Sequence, residues 1–124
     1  GARRLHGAPA VGDLRRHAEA SAIARAMALD PPILFLDEPS SGLDPITSAT
    51  LDATIRRLAE SLGMTFVIIT HDLPSVFAAI DRVVLLDKKA RGIIAEGDPR
   101  ELRDSSPDPR VRAFLRREPE KAAA

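Results

Sequence analysis

Asp37 and Glu38 follow the apolar run Ile33-Leu34-Phe35-Leu36, and His71 closes a second run, Phe66-Val67-Ile68-Ile69-Thr70. Successive side chains on an extended segment point to opposite sides, so one of the two carboxylates can hold a metal's shell while the other faces a substrate. A hard carboxylate oxygen suits Mg²⁺, which bridges the phosphates of a nucleotide. The neighbouring carboxylate can orient and deprotonate an attacking water if it lies within hydrogen-bond reach. His71 can contact the terminal phosphate or hold the geometry. Taken singly, an Asp-Glu pair more often caps a loop, and a lone histidine after a strand is more often structural. What carries weight is their combination at two strand ends, because open parallel α/β sheets bind ligands outside the carboxyl ends of their strands.

The surrounding sequence predicts elements able to present those ends. From Ala18 an alanine-rich run favours a helix of about three turns, and Asp30-Pro31-Pro32 ends it. Residues 33 to 36 and 66 to 69 are continuously apolar, the pattern of strands buried on both faces. Between them Asp44 suits a helix N-cap, Pro45 the first helical position, and Gly63 the C′ position. Leu51, Ile55, Leu58 and Leu62 make one apolar stripe along that helix. A short helix is expected from about Pro74 to Ile80, then a third strand, Val83 to Leu86. Asp87-Lys88-Lys89 reads as a turn into a weaker strand around Gly92 to Ala95, a hairpin on the sheet's edge. Helix and strand alternate, so the fold class is α/β, with parallel strands and right-handed crossovers. The tail from Pro99 is helical in patches, with Val111, Phe114 and Leu115 as its apolar stripe. Residues Gly1 to Arg16 show no period and carry the breakers Pro9 and Gly12.

Composition bounds the function. Hydrophobic residues make up 44% of the 124, concentrated mid-chain, so the centre can build a core. Eighteen basic and eighteen acidic residues cancel, leaving no net field to draw nucleic acid or an anionic membrane. The absence of cysteine removes disulfides and thiolate metal sites and agrees with a reducing compartment. No apolar run approaches the length of a membrane span and no signal-peptide pattern opens the chain, so a cytoplasmic location is expected.

Three linked motifs, Leu34-Phe35-Leu36-Asp37-Glu38-Pro39, Ser41-Gly42-Leu43-Asp44-Pro45 and Ile68-Ile69-Thr70-His71-Asp72, resemble the ABC transporter ATPases in order, spacing and identity. The resemblance runs from about Ala20 to the C-terminus, and Ala24-Arg25-Ala26 matches the helix that follows the family's signature motif. It implies part of a P-loop NTPase-type layer, incomplete at the N-terminus. It also implies ATP and Mg²⁺ as cofactors, Asp37 as the Walker B aspartate at the metal and Glu38 as catalytic base. His71 would be the switch histidine, and Ser41 to Asp44 a D-loop crossing a dimer interface, with Ser41, Gly42 and Asp44 on the nucleotide side. Implied partners are a permease in the inner membrane and a second ATPase subunit in a homodimer, which puts the protein on the inner face of the plasma membrane. No nucleic acid is implied. Asp44-Pro45-Ile46-Thr47, the Asp87-Lys88-Lys89 turn and Pro107-Asp108-Pro109-Arg110-Val111 with Phe114-Leu115 look like the Mla/Mce group, which energises phospholipid or sterol traffic. The alternatives are an ATPase for a drug or small solute and a non-catalytic interaction module. A receiver-like phosphoacceptor domain fits worse, because its later strand should not end in Thr70-His71.

Other family parts are missing. A phosphate-cradling loop needs Gly-x-x-x-x-Gly-Lys and then Ser or Thr, but the only lysines are Lys88, Lys89 and Lys121, and there is no glutamine for a Q-loop. Where Leu-Ser-Gly-Gly should precede Ala20 stands Asp13-Leu14-Arg15-Arg16-His17-Ala18-Glu19, and two arginines cannot replace glycines where backbone must approach phosphate. One permitted choice of codons for Gly12 to Ala20, GGA GAT CTC CGG CGG CAT GCG GAA GCG, yields Glu-Ile-Ser-Gly-Gly-Met-Arg-Lys-Arg when read one base later. That is a signature-like segment. A frameshift upstream of about Ser21 is therefore expected, with residues 1–19 unstructured or out of frame, 20–98 the C-terminal half of the ATPase domain, and 99–124 a helical tail. Such a chain is expected to be inactive alone. Sequencing the locus should reveal a one-base insertion or deletion near the Ser21 codon and an upstream frame encoding Ser-Gly-Gly and the lysine-bearing loop; an upstream region without that frame refutes the shift.

Overall fold

A helix over 21–27 (α1) opens the part of the chain that the computed structural model describes, residues 21–117. The expectations for residues 1–19, and for the helix start at Ala18, lie outside the described residues. After α1 come β1 (Ile33–Asp37), α2 (Pro45–Leu62), β2 (Thr65–Ile69), α3 (Leu73–Ala79), β3 (Val83–Asp87), β4 (Gly92–Gly97), α4 (Pro99–Ser105) and α5 (Pro109–Leu115). The chain divides into two compact units after His71.

In the first unit β1 and β2 pair in parallel, from Ile33 opposite Thr65 to Asp37 opposite Ile69. Parallel neighbours need a crossover, and α2 supplies it. Its start is set by Asp44, whose side chain accepts from the Ile46 and Thr47 amides, with Pro45 next in the first turn. Its end is set by Gly63 at φ 65°, a left-handed conformation that costs glycine nothing, with the Gly63 amide donating to the Ala59 carbonyl. Ile23, Leu34 and Met64 form the buried cluster, and Leu36, Leu51, Leu58 and Phe66 pack against it. The stripe thus turns Leu51, Ile55 and Leu58 inward, but Leu62, in the last turn, stays 55% exposed.

The strands depart from the expectation of burial on both faces. Leu34 and Leu36 meet the cluster, whereas Ile33, Phe35, Val67 and Ile69 on the opposite face remain exposed. Side chains alternate across a sheet, and the cluster covers only one face. A continuous apolar run records the potential for two-sided burial without supplying the second cover.

The second unit is built on an antiparallel hairpin with Val83 opposite Gly97 and Asp87 opposite Gly92. Asp87 shapes the turn by accepting from the Ala90 amide at 2.8 Å, and a bulge lies between Leu85 and Leu86. The hairpin was expected, but as the edge of one parallel layer. In the structure β3 pairs with β4 in a separate two-stranded sheet. A tight turn brings antiparallel partners together over a short loop, whereas parallel pairing requires a long crossover.

Helices α4 and α5 begin as α2 does, with aspartate at the N-cap and proline next: Asp98-Pro99 and Asp108-Pro109. A hydrogen bond from the Arg110 side chain holds the Asp108 carboxyl below the ordinary carboxylate range. Leu73, Val111 and Leu115 are the buried cluster, with Phe77, Leu85, Ile94, Ala95 and Leu102 against it. Phe114, expected on the same stripe, is 48% exposed, because Val111 and Leu115 stand four apart and take the inward face of α5. Leu115→Ala should therefore cost about 2–5 kcal/mol in urea unfolding, while Leu86→Ala, at a residue 75% exposed, should change stability by no more than about 0.5 kcal/mol.

Candidate functional site

The parallel register aligns the ends of β1 and β2, so the residues just beyond them become neighbours. The ladder continues one residue past β1, where the Glu38 amide donates to the Ile69 carbonyl at 2.7 Å. Glu38 then turns the chain at φ 46°. A left-handed backbone is disfavoured for a residue with a Cβ by about 1–3 kcal/mol and persists only where its surroundings hold it. Here the Glu38 amide is tied to β2 and its carbonyl accepts from the Ser41 amide at 3.1 Å. The turn closes as the Leu43 amide donates to the Ser40 carbonyl, with Gly42 at φ 80°.

The backbone of Glu38 being held on both sides, its carboxylate is held as well. His71 Nδ1 lies 2.6 Å from Oε1, and Thr70 Oγ1 donates to Oε2 at 3.1 Å. A carboxylate oxygen only accepts, so Nδ1 is the donor in this contact. The His71 side chain is 85% exposed and that of Glu38 31%, which leaves the far edge of the imidazole open to solvent.

Of the residues singled out in the sequence, Glu38 and His71 are brought into contact. Asp37 ends β1, exposed, in step with Ile33 and Phe35 rather than with the core-facing Leu34. Ser41 and Gly42 are exposed on the turn leading to α2. Asp44 is occupied by its own helix: Oδ2 accepts from the Ile46 and Thr47 amides at 3.1 Å each, and Oδ1 from Thr47 Oγ1 at 2.6 Å. The residue that sequence reasoning passed over is Thr70, visible only as a hydroxyl preceding the histidine. Among the described residues no group of three or more His, Cys, Asp or Glu can hold a metal ion. No helix among them is long and apolar enough to cross a membrane.

The hydrogen bond from the Thr47 hydroxyl, followed by that from the Thr47 amide, holds Asp44 below the usual carboxylate range. Its contribution to stability is present above the unfolded value of about 3.9 and is lost as pH falls through the lower folded value. Asp44→Asn, which caps without titrating, should match the parent in thermal melting near pH 7 and fall less on acidification. Asp44→Ala should already be weaker near neutrality.

No family model matches the chain. Over 116 residues it is 42% identical to the intermembrane phospholipid transport system ATP-binding protein MlaF of Escherichia coli K12, covering 93% of this chain and 40% of that protein. It is 35% identical over 96 residues to the choline transport ATP-binding protein OpuBA of Bacillus subtilis, covering 77% of this chain and 25% of that one. With the methionine import ATP-binding protein MetN of Francisella tularensis it shares 47% over 75 residues, 60% of this chain and 21% of the relative. The chain thus spans well under half the length of these relatives. Among solved structures, one described as an inward-facing conformation of a metal-chelate type ABC transporter aligns with a TM-score of 0.68 at 27% identity, over 88% of this chain and 42% of that one. The strand-end motifs, the mixed α/β architecture and a relative 42% identical over 93% of the sequence lead to one conclusion: this chain is homologous to part of the ABC transporter ATP-binding proteins.

Proposed function

We propose that this chain carries the hydrolytic end of an ATP-driven transport subunit, with residues 20–98 as the catalytic part and 99–124 as a tail. The observation that carries this reading is the Glu38 carboxylate, held 2.6 Å from His71 at the ends of two parallel strands. In that role Glu38 takes a proton from the water whose oxygen attacks the γ-phosphorus as the bond to the β–γ bridging oxygen breaks and ADP leaves, and His71, released from Glu38, turns its ring N–H toward the phosphate. Asp37, one exposed carboxylate at a strand end, fits a cation that completes its shell with water and phosphate oxygens. Mg²⁺ so held would supply neutralisation of phosphate charge. Ser41, Gly42 and Asp44 lie on the turn offered to a second subunit across a head-to-tail dimer, and the dimer drives a permease from the inner face of the membrane.

Lipid is the cargo we favour, supported by the 42% identity with the phospholipid-transport protein across 93% of the chain. A small-solute cargo is the second reading, supported by the likeness to the methionine and choline proteins. Phosphoryl transfer is mostly positioning and charge neutralisation, so a chain without a lysine-bearing phosphate loop is inactive by itself. The test sets the isolated chain beside a complete subunit rebuilt with the upstream frame. Calorimetry should detect no micromolar ATP binding to the chain alone. In the complete subunit Glu38→Gln should keep nucleotide binding and lower turnover by about a hundredfold or more, the range general bases contribute. Normal turnover by that variant overturns the assignment of the base.

A further inference from the structure

The geometry points to Thr70 as the positioning residue for Glu38: its hydroxyl holds Oε2, so that Oε1 can pass from His71 to an attacking water without the carboxylate losing its aim. The inference rests on Glu38 being the base.

Both carboxylate oxygens are engaged, Oε1 by His71 Nδ1 at 2.6 Å and Oε2 by Thr70 Oγ1 at 3.1 Å. A base needs one oxygen open to accept a proton, so one of these contacts must give way. The two differ in how readily they do so. The His71 contact is exposed, and its imidazole, 85% accessible, can swing into solvent or toward a ligand. The Thr70 contact is partly buried and comes from a β-branched side chain stiff at χ1, immediately beyond β2. A partly buried hydrogen bond is less screened by water and stronger than an exposed one.

The backbone gives the anchor its purpose. Glu38 is fixed at its amide by Ile69 and at its carbonyl by Ser41, so the remaining freedom lies in its side-chain torsions. With His71 withdrawn and no second contact, the carboxylate would sample several staggered rotamers and meet the water in only some of them. Thr70 retains one rotamer through that exchange. It touches neither water nor phosphate in this scheme and acts only through Glu38.

In the complete subunit, Thr70→Val should lower kcat by about tenfold, the scale of one hydrogen bond to a charged group, and leave the KM for ATP unchanged. Thr70→Ser, which keeps the hydroxyl, should restore turnover, and Thr70→Ala provides a second hydroxyl-free variant should valine disturb folding. In a Glu38→Gln background Thr70→Val should cause no further loss. In the 124-residue chain carrying His71→Ala, which removes the other contact to the carboxylate, three-bond couplings should report one Glu38 rotamer with Thr70 or Thr70→Ser and averaged rotamers with Thr70→Val. Parental kcat in Thr70→Val and Thr70→Ala while Glu38→Gln is inactive overturns the role of Thr70 alone. Normal turnover by Glu38→Gln instead removes the reading on which it rests. A loss that persists in the Glu38→Gln background, a serine variant that restores nothing, or an unchanged single rotamer when Thr70→Val is combined with His71→Ala also refutes the proposal.

Discussion

The parallel ladder between β1 and β2 is the constraint on which the rest of the first unit depends. Its register sets Asp37 opposite Ile69, and one further bond, from the Glu38 amide to the Ile69 carbonyl, carries the alignment past the strand end. A slip of one residue would exchange the faces of the strand, turning Leu34 outward and moving Glu38 away from Thr70 and His71. Packing and chemistry are therefore tied to one alignment. Leu34 and Phe66, paired in that register, belong with the Ile23 and Met64 cluster, so burial of the apolar face holds the polar end in place.

The polar end departs from ideal backbone geometry where the ladder can restrain it. Glu38 adopts a left-handed conformation that a β-carbon disfavours, between two backbone hydrogen bonds that leave it little alternative. The turn that follows feeds directly into the Asp44 cap of α2, so the start of the crossover helix and the end of β1 are defined within a few residues of each other. Strain at Glu38 is thereby offset by interactions on both sides, and a carboxylate is presented at a strand end with its backbone already ordered.

The second unit solves a different problem with repeated local devices. Its hairpin closes over a short turn shaped by Asp87, and both of its later helices start from an Asp-Pro pair. Aspartate satisfies amides that the first helical turn leaves unpaired, and proline occupies a position where no amide bond is lost. Arg100 and Arg103 lie over the Phe77 ring, and Arg100 also donates to the Phe77 carbonyl, joining α3 and α4 through one aromatic residue. These contacts unite elements that are too short to be stable alone.

Much of this could be read from residue types. Asp44, Pro45 and Gly63 bound α2 because capping and left-handed termination are local properties, and the same chemistry in Asp98-Pro99 and Asp108-Pro109 marks α4 and α5. The motifs around Asp37, Glu38 and His71 identified the family because order and spacing are contained in the sequence. Tertiary structure alone decided which face of β1 is covered and that Val111 and Leu115, rather than Phe114, face the core. Each depends on contacts between segments far apart in the chain, where a continuous apolar run is compatible with several partners. The engagement of Thr70 with Glu38 belongs to the same class: a hydroxyl before a histidine carries no local signal, and its role arises only when register brings it to a carboxylate thirty-two residues away.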